Sequence, residues 1–284
     1  MALASRCAPL FGDGQLRTIA ASLRLHIRSV ARFWSSSLAA EMEYQFNLVI
    51  EMAATTLTLL GSVFTLSLFY GHGARLGGWS WDAALIVLGL YTLLEGITTT
   101  VLRPNLGNLV KQVQSGGLDF VLLKPIDSQL WLSLRSVSPW GVPEILLGVA
   151  LVLLGAARAG AKLDPINLFS AAILLLAGIL ILYSLWFILA ATSLWFVKVW
   201  NATEVLRSLL AAGRYPLTAY PPALRLVFST VLPVAFLTTV PAEAILGVSR
   251  PTSLLISSVV AVISLAMSRA LWTLALRHYT SASS

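Results

Sequence analysis

The sequence predicts an all-α integral membrane protein with about six transmembrane helices, an N-terminal interfacial helix, and a short cytoplasmic helix between spans two and three. Three observations predict it. Hydrophobic residues make up 57% of the 284 positions and charged residues 11%, against roughly 25% charged in an average soluble domain. So few charges cannot cover a soluble surface of this size. The apolar residues gather into runs near the roughly 20 helical residues that cross a hydrocarbon core of about 30 Å. Most of the 19 Lys and Arg fall between those runs.

In chain order, residues 1–46 read as a cytoplasmic N-terminal segment. No uninterrupted apolar stretch there precedes a small-residue cleavage site, so it is no secretory signal. Its Arg- and Ser-rich composition with one early acid, Asp13, also fits an organellar transit peptide. The preferred reading is an interfacial helix over about Thr18–Phe46. Leu23, Ile27, Val30 and Trp34 recur at helical spacing beside Arg24, Arg28 and Arg32, an arrangement suited to the headgroup level.

Residues 47–279 form the expected transmembrane domain, with a frayed tail at 280–284. The spans are Leu48–Tyr70, Ala83–Leu102, Trp140–Ala157, Ile166–Val197, Leu226–Leu246 and Ser253–Leu276. Ile166–Val197 carries no charge and would be about 48 Å long as a helix, so it must tilt or protrude. Leu226–Leu246 contains Pro233 and Pro241, which interrupt helical hydrogen bonding and suggest a bent or re-entrant segment. With the N-terminus in the cytoplasm, cytoplasmic segments hold fifteen Lys and Arg and outer loops four, namely Arg75, Arg158, Lys162 and Arg250. That is a clear positive-inside bias. Net charge of +7 is then explained by anionic headgroups, and no aromatic-interleaved basic patch points to nucleic acid.

The loop from Arg103 to about Pro139 is the most informative connection. Asn105 can cap a short helix whose apolar stripe is Leu106, Leu109, Val110 and Val113. Gly116 and Gly117 stop that helix. Leu118-Asp119-Phe120-Val121-Leu122-Leu123-Lys124-Pro125 follows, and Asp127 or Ser128 can cap what comes next. Such a helix can dock a soluble partner or lie on lipid.

Most catalytic chemistry is excluded. There is no Gly-x-x-x-x-Gly-Lys-Ser/Thr phosphate loop, no His-Glu-x-x-His zinc pair and no Gly-x-Ser-x-Gly elbow. His26, His72 and His278 lie in separate segments, and the lone Cys7 builds neither a disulfide nor a thiolate metal site within the chain. Glu51, Glu95 and Glu144 fall within or near spans, where a carboxylate is a functional candidate. Glu95 and Arg269 stand at similar depths on their spans. The sequence therefore predicts that they neutralise each other, with a proton or substrate role for Glu95 as the alternative.

The stretch Gly117-Leu118-Asp119-Phe120-Val121-Leu122-Leu123-Lys124-Pro125 resembles the G-x-LD-x-x-L-L-(K/R)-P signature of ABC-2 type permeases, the membrane subunits of bacterial ABC exporters. Glu43-Tyr44 and Asn47 are similar to that family's entry to its first helix. Arg214-Tyr215-Pro216, Tyr220-Pro221, Leu224-Arg225, Leu232-Pro233-Val234-Ala235-Phe236 and Pro241-Ala242 resemble its C-terminal half. The likeness covers roughly Glu41 to His278. Gln45 stands where relatives often have arginine, and the N-terminus is longer than expected.

The resemblance implies a permease that moves its substrate outward across a bacterial inner membrane, with both termini cytoplasmic. It implies no cofactor on this chain, ATP and Mg on two copies of a partner ATPase subunit, and a second permease, paralogous or identical. Leu106, Leu109, Val110 and Val113, with Gly117, Leu118, Asp119, Lys124 and Pro125, would couple the ATPase to spans two and three. It also implies that about Asn201 to Pro216 can cross the membrane, leaving Leu226–Leu246 re-entrant. Hydropathy alone prefers Leu226–Leu246 as the fifth span, and both readings stay open. A self-contained secondary transporter or channel is the alternative function. It would want broken helices or inward charges at mid-membrane, which Glu95, Pro233 and Pro241 alone offer.

Overall fold

A computed structural model describes residues 34–35, 45–71, 75–161, 164–195 and 200–279. Almost all of the expected interfacial helix, and the tail after Tyr279, lie outside the described residues. Among the described residues, five helical stretches are long and apolar enough to cross a bilayer: Val49–Tyr70, Trp81–Val113, Pro139–Arg158, Pro165–Leu194 and Pro251–Arg277. They match the expected spans one, two, three, four and six. The side bearing residues 103–138 is termed the motif face below.

Helix α1 (Gln45–Tyr70) is followed by α2 (Trp81–Ile97), whose N-terminus Ser80 caps by accepting the Ala83 N–H at 3.3 Å. Span two does not stop at Leu102, as the sequence predicts, but runs on through a π-helical turn, Thr98–Leu102, into α3 (Arg103–Gln114). The reason lies in the carbonyls that Pro104 cannot serve. A proline frees the carbonyl four residues back and pushes against it, and a π turn opens the helix there. The Thr100 carbonyl accepts instead from the Ser138 N–H at 2.9 Å. Asn105 is therefore not a helix cap. It lies within the continuous helix, 2% exposed. Its amide donates to the Val101 and Ser136 carbonyls at 2.7 and 2.6 Å and accepts from the Ser136 N–H at 2.7 Å.

Gly116, at φ +73°, ends α3. Two short helices follow, α4 (Leu118–Leu122) and α5 (Ser128–Leu134), and Asp127 caps α5 through the Leu130 N–H at 2.9 Å. The third span, α6 (Val142–Arg158), returns antiparallel to α2 along a seam of glycines. Gly89 meets Gly148 and Gly96 meets Gly141, at seven-residue intervals, and Gly155 continues the seam against Asp82 and Ile86. A methyl group on Gly148 would stand 2.5 Å from the Leu93 nitrogen. Small residues let backbones approach where lipid offers no competing hydrophobic force.

Helix α7 (Pro165–Ala191) is the hub. Residues including Leu174, Ile181, Trp186 and Phe187 are buried against other parts of the chain, and protein neighbours on several sides explain why a 27-residue helix carries no charge.

The structure decides between the two candidates for the fifth crossing. After a 3₁₀ turn beside α3 on the motif face, α8 (Trp200–Leu210) rises past Glu95 and continues through a 3₁₀ turn at Ala211–Arg214. By Thr218 and Ala219 the chain lies against Gly77, in the turn joining spans one and two on the opposite face. Residues 200–219 thus pass from one face to the other. Helices α9 (Pro222–Thr230) and α10 (Thr239–Ile245) then form a pair bent by 73°. The bend packs at mid-depth, with the Phe236 carbonyl close to Gly178, and the chain leaves at Gly247 beside Asn167. Both ends of this hairpin lie on the same face, so Leu226–Leu246 is re-entrant and is not a span. Val234, Ala235, Ala242 and Ile245 are buried within the bundle, while Leu226 and Val231 stay exposed.

Helix α11 (Pro251–Arg277) packs along α7, with Trp272 fully buried and edge-on to Phe187 at 5.5 Å. The principal core sits towards the motif face. It joins these two rings to Leu102, Leu106, Leu109, Leu118 and Val121. The expected coupling stripe is corrected by this core. Leu106 is 2% and Leu109 0% exposed, with Val110 and Val113 half-buried. A helix continuous with span two turns Leu106 and Leu109 onto its own bundle, so those two are not free to receive a partner.

Candidate functional site

The motif turn is tied to the far end of the bundle. Asp127 forms a bidentate ion pair with Arg269 of α11, at 2.5 and 3.1 Å. Burial pushes the Asp127 carboxyl up, but the Arg269 hydrogen bond and the Leu130 and Gln129 N–H groups outweigh it and hold it below the usual carboxylate range. Gln129 accepts from Arg269 at 3.2 Å and donates to the Tyr183 and Ser268 hydroxyls at 3.2 and 3.3 Å. Ser133 shares a hydrogen at 2.8 Å with Tyr183, and Trp272 donates to Ser128 at 3.0 Å. One short helix therefore holds α7 and α11 as well as spans two and three.

This network corrects the expected Glu95–Arg269 pair. Similar depth on two helices does not make them neighbours. Arg269 faces the motif turn, while Glu95 on α2 faces α8, where Arg207 approaches to 3.8 Å. The Tyr91 hydroxyl also donates to Glu95 at 2.7 Å.

Of the remaining motif residues, Leu118 is fully buried and Asp119 lies against the Tyr279 hydroxyl. The Lys124 ammonium sits 3.9 Å from the centre of the Trp131 ring, a cation–π contact. Pro125 is exposed, and Gly117 occupies the N-cap position of α4. Phe120, Leu122 and Leu123 project outward at 74, 38 and 81% exposure. The apolar surface this segment presents is thus the tip of α4, beyond the expected stripe.

A second constellation lies inside the bundle. Helix α1 carries Glu51, Thr55, Thr58 and Ser62, one polar stripe at helical spacing. It faces Tyr91, Thr92 and Glu95 of α2, Glu144 at the start of α6, and the arginines 207 and 214 across a cleft of about 190 Å3. From Glu51 to Ser62 the stripe runs roughly 16 Å, about half a bilayer core. Thr99 donates to Glu144 at 3.1 Å, and the Arg214 guanidinium lies 5.0 Å over the Tyr91 ring. Of these residues, the expectations named Glu51, Glu95 and Glu144 as acids within or near spans and missed the cleft that joins them. The polar stripe in α1 was the available signal.

The arrangement suits passage or holding of a polar group within a membrane-embedded helical bundle, with a separate segment linking the spans on the motif face. The described residues hold no group of three or more His, Cys, Asp and Glu placed to bind a metal. A comparison with curated proteins finds no match, and one with solved structures finds none. A family model described as "ABC-2 family transporter protein" matches residues 56–283. That match runs from within the first span through the motif turn, the re-entrant hairpin and the last span, and the chain belongs to the ABC-2 family of transporters.

Proposed function

We propose that this chain is the permease subunit of an ATP-driven ABC exporter, moving its substrate outward with energy from a separate ATPase subunit. The observation that carries this reading is the motif turn. Its apolar tip, Phe120, Leu122 and Leu123, stands clear of the bundle, while α3 before it is continuous with span two and α5 after it is bonded to α7 and α11. A force applied at the tip reaches most of the bundle through those contacts, which is what coupling two conformations requires. In this reading the motif face is cytoplasmic, the membrane is a bacterial inner membrane, ATP and Mg bind the ATPase, and two ATPase copies serve this chain and a second permease.

The test uses the full chain with its ATPase. Phe120→Asp with Leu123→Asp changes only exposed side chains, so the variant inserts normally. It should lose the co-purifying ATPase and ATP-dependent export, because desolvated unpaired charges at an interface cost several kcal/mol, a loss of more than a hundredfold at about 1.4 kcal/mol per tenfold. Retention of both would place the tip on lipid and overturn the coupling. Orientation is checked by cysteine labelling in intact cells after Cys7 is replaced. A cysteine at Ala161 should react with an impermeant reagent and one at Ser115 should not. The reverse pattern would overturn the assigned direction.

A further inference from the structure

We propose that the cleft between α1, α2 and α8 binds a cationic nitrogen, a protonated amine or ammonium group, held by Glu51 and Glu144 with Thr55 beside them. This rests on the permease reading only for its consequence, that such a group belongs to the cargo.

The argument is an account of charge. Three carboxylates and two guanidinium groups line the cleft. Glu95 is satisfied by Tyr91 and Arg207, and Arg214 is spread over the Tyr91 ring. Glu144 receives only a neutral hydroxyl, from Thr99, and Glu51 has no hydrogen-bond or ion-pair partner among the described residues. Arg103 is near enough to act on Glu144 electrostatically but makes no ion pair with it, while Glu51 and Glu95 act on it as like charges. The unspent charge of the cleft is negative.

Thr55 supplies an independent sign of a ligand. Thr56, Thr58 and Ser62 each return their hydroxyl to the carbonyl four residues back in α1, the usual solution for a hydroxyl in a membrane helix. Thr55 does not. It is 7% exposed, lines the cleft, and has no hydrogen-bond partner among the described residues. A hydroxyl left open to the cleft beside two under-paired carboxylates is complementary to an N–H donor. The volume of about 190 Å3 admits an alkylammonium head but not a whole lipid.

The test measures binding of dansylcadaverine, whose amine ends a flexible chain, to the full chain in dodecyl maltoside, with empty micelles subtracted. N-acetyl dansylcadaverine and dansylglycine serve as neutral and anionic probes. The cation should bind at least tenfold more tightly than either. Glu51→Gln with Glu144→Gln, near-isosteric and checked for a monodisperse fold, should abolish that preference. Thr55→Val should weaken it severalfold, and Asp164→Asn on the opposite face should leave it unchanged. Competition by free pentylamine would mark a soluble amine as the ligand, and competition only by short-chain phosphatidylethanolamine would mark a lipid headgroup. Either supports the site. Equal binding of all three probes, or a preference untouched by the double glutamine variant, would overturn it. Neither result bears on ATPase docking at the α4 tip, so this proposal and the exporter reading fail separately.

Discussion

Asp127 and Arg269, 142 residues apart in the chain, meet in a two-point ion pair that fastens the motif turn to the last span. Their side chains are 41 and 50% exposed, so the pair itself contributes at most about 1 kcal/mol to stability. Its weight is geometric, because Gln129, Ser128 and Ser133 hold the same helix against α7 and α11. Asp127→Asn should therefore leave insertion intact while slowing transport, as the turn loses its fixed angle to α11.

The same pair carries a pH signature. The folded Asp127 carboxyl is held below its ordinary value, so its stabilisation is present above the unfolded value near 3.9 and is lost as pH falls through the lower folded one. The thermal midpoints of the wild type and Asp127→Asn should differ at pH 7 and converge below about pH 4. A constant difference across that range would remove the ion pair from the account.

The glycine seam between α2 and α6 gives a second test. Gly148→Ala puts a methyl group against the Leu93 backbone, which unlike a side chain cannot rotate away. Overpacking costs typically about 1–3 kcal/mol. The variant should show a lowered aggregation temperature in size-exclusion assays, whereas Gly107→Ala, in open space within α3, should be stable.

Leu109 and Leu123 separate packing from docking on the same segment. Leu109 is fully buried and Leu123 stands 81% exposed. Leu109→Ala should cost about 2–5 kcal/mol through the cavity it leaves and reduce the yield of folded protein. Leu123→Ala should leave yield unchanged and lower only ATPase retention. Equal effects on both readouts would mean the tip is part of the core.

What the sequence showed and hid follows from what hydropathy measures. Five spans were legible because their runs are long and largely lipid-compatible. The crossing at 200–219 was hidden because Glu204, Arg207 and Arg214 depress its hydropathy, although Arg207 and Arg214 meet Glu95 and Tyr91 inside the bundle. Hydropathy prefers the hairpin at 222–245 as a span by the converse effect, since residues such as Val234, Ala242 and Ile245 are apolar and buried in the bundle. Counting residues from helix ends placed Glu95 and Arg269 at one depth but carried no information on azimuth. The cap at Asp127 was legible, being local. The fate of Asn105 was not, because Ser136 is brought to it only by the fold.

The Glu95–Arg207 contact supplies the last prediction. Glu95 has 16% and Arg207 42% side-chain exposure, at 3.8 Å. Removing either leaves a charge inside the bundle, which costs at least about 2.5–3.5 kcal/mol at mid-membrane on insertion scales. Glu95→Gln and Arg207→Gln should each reduce the folded yield, and the double variant should recover it. Glu95→Gln and Arg269→Gln share no contact, so their effects should add within about 0.5 kcal/mol. A coupling between Glu95 and Arg269, measured by the same double-mutant cycle, would contradict the pairing described here. Recovery of assembly without transport in the Glu95→Gln/Arg207→Gln variant would assign Glu95 a further role towards the cargo, since charge balance would then be restored and only the carboxylate missing.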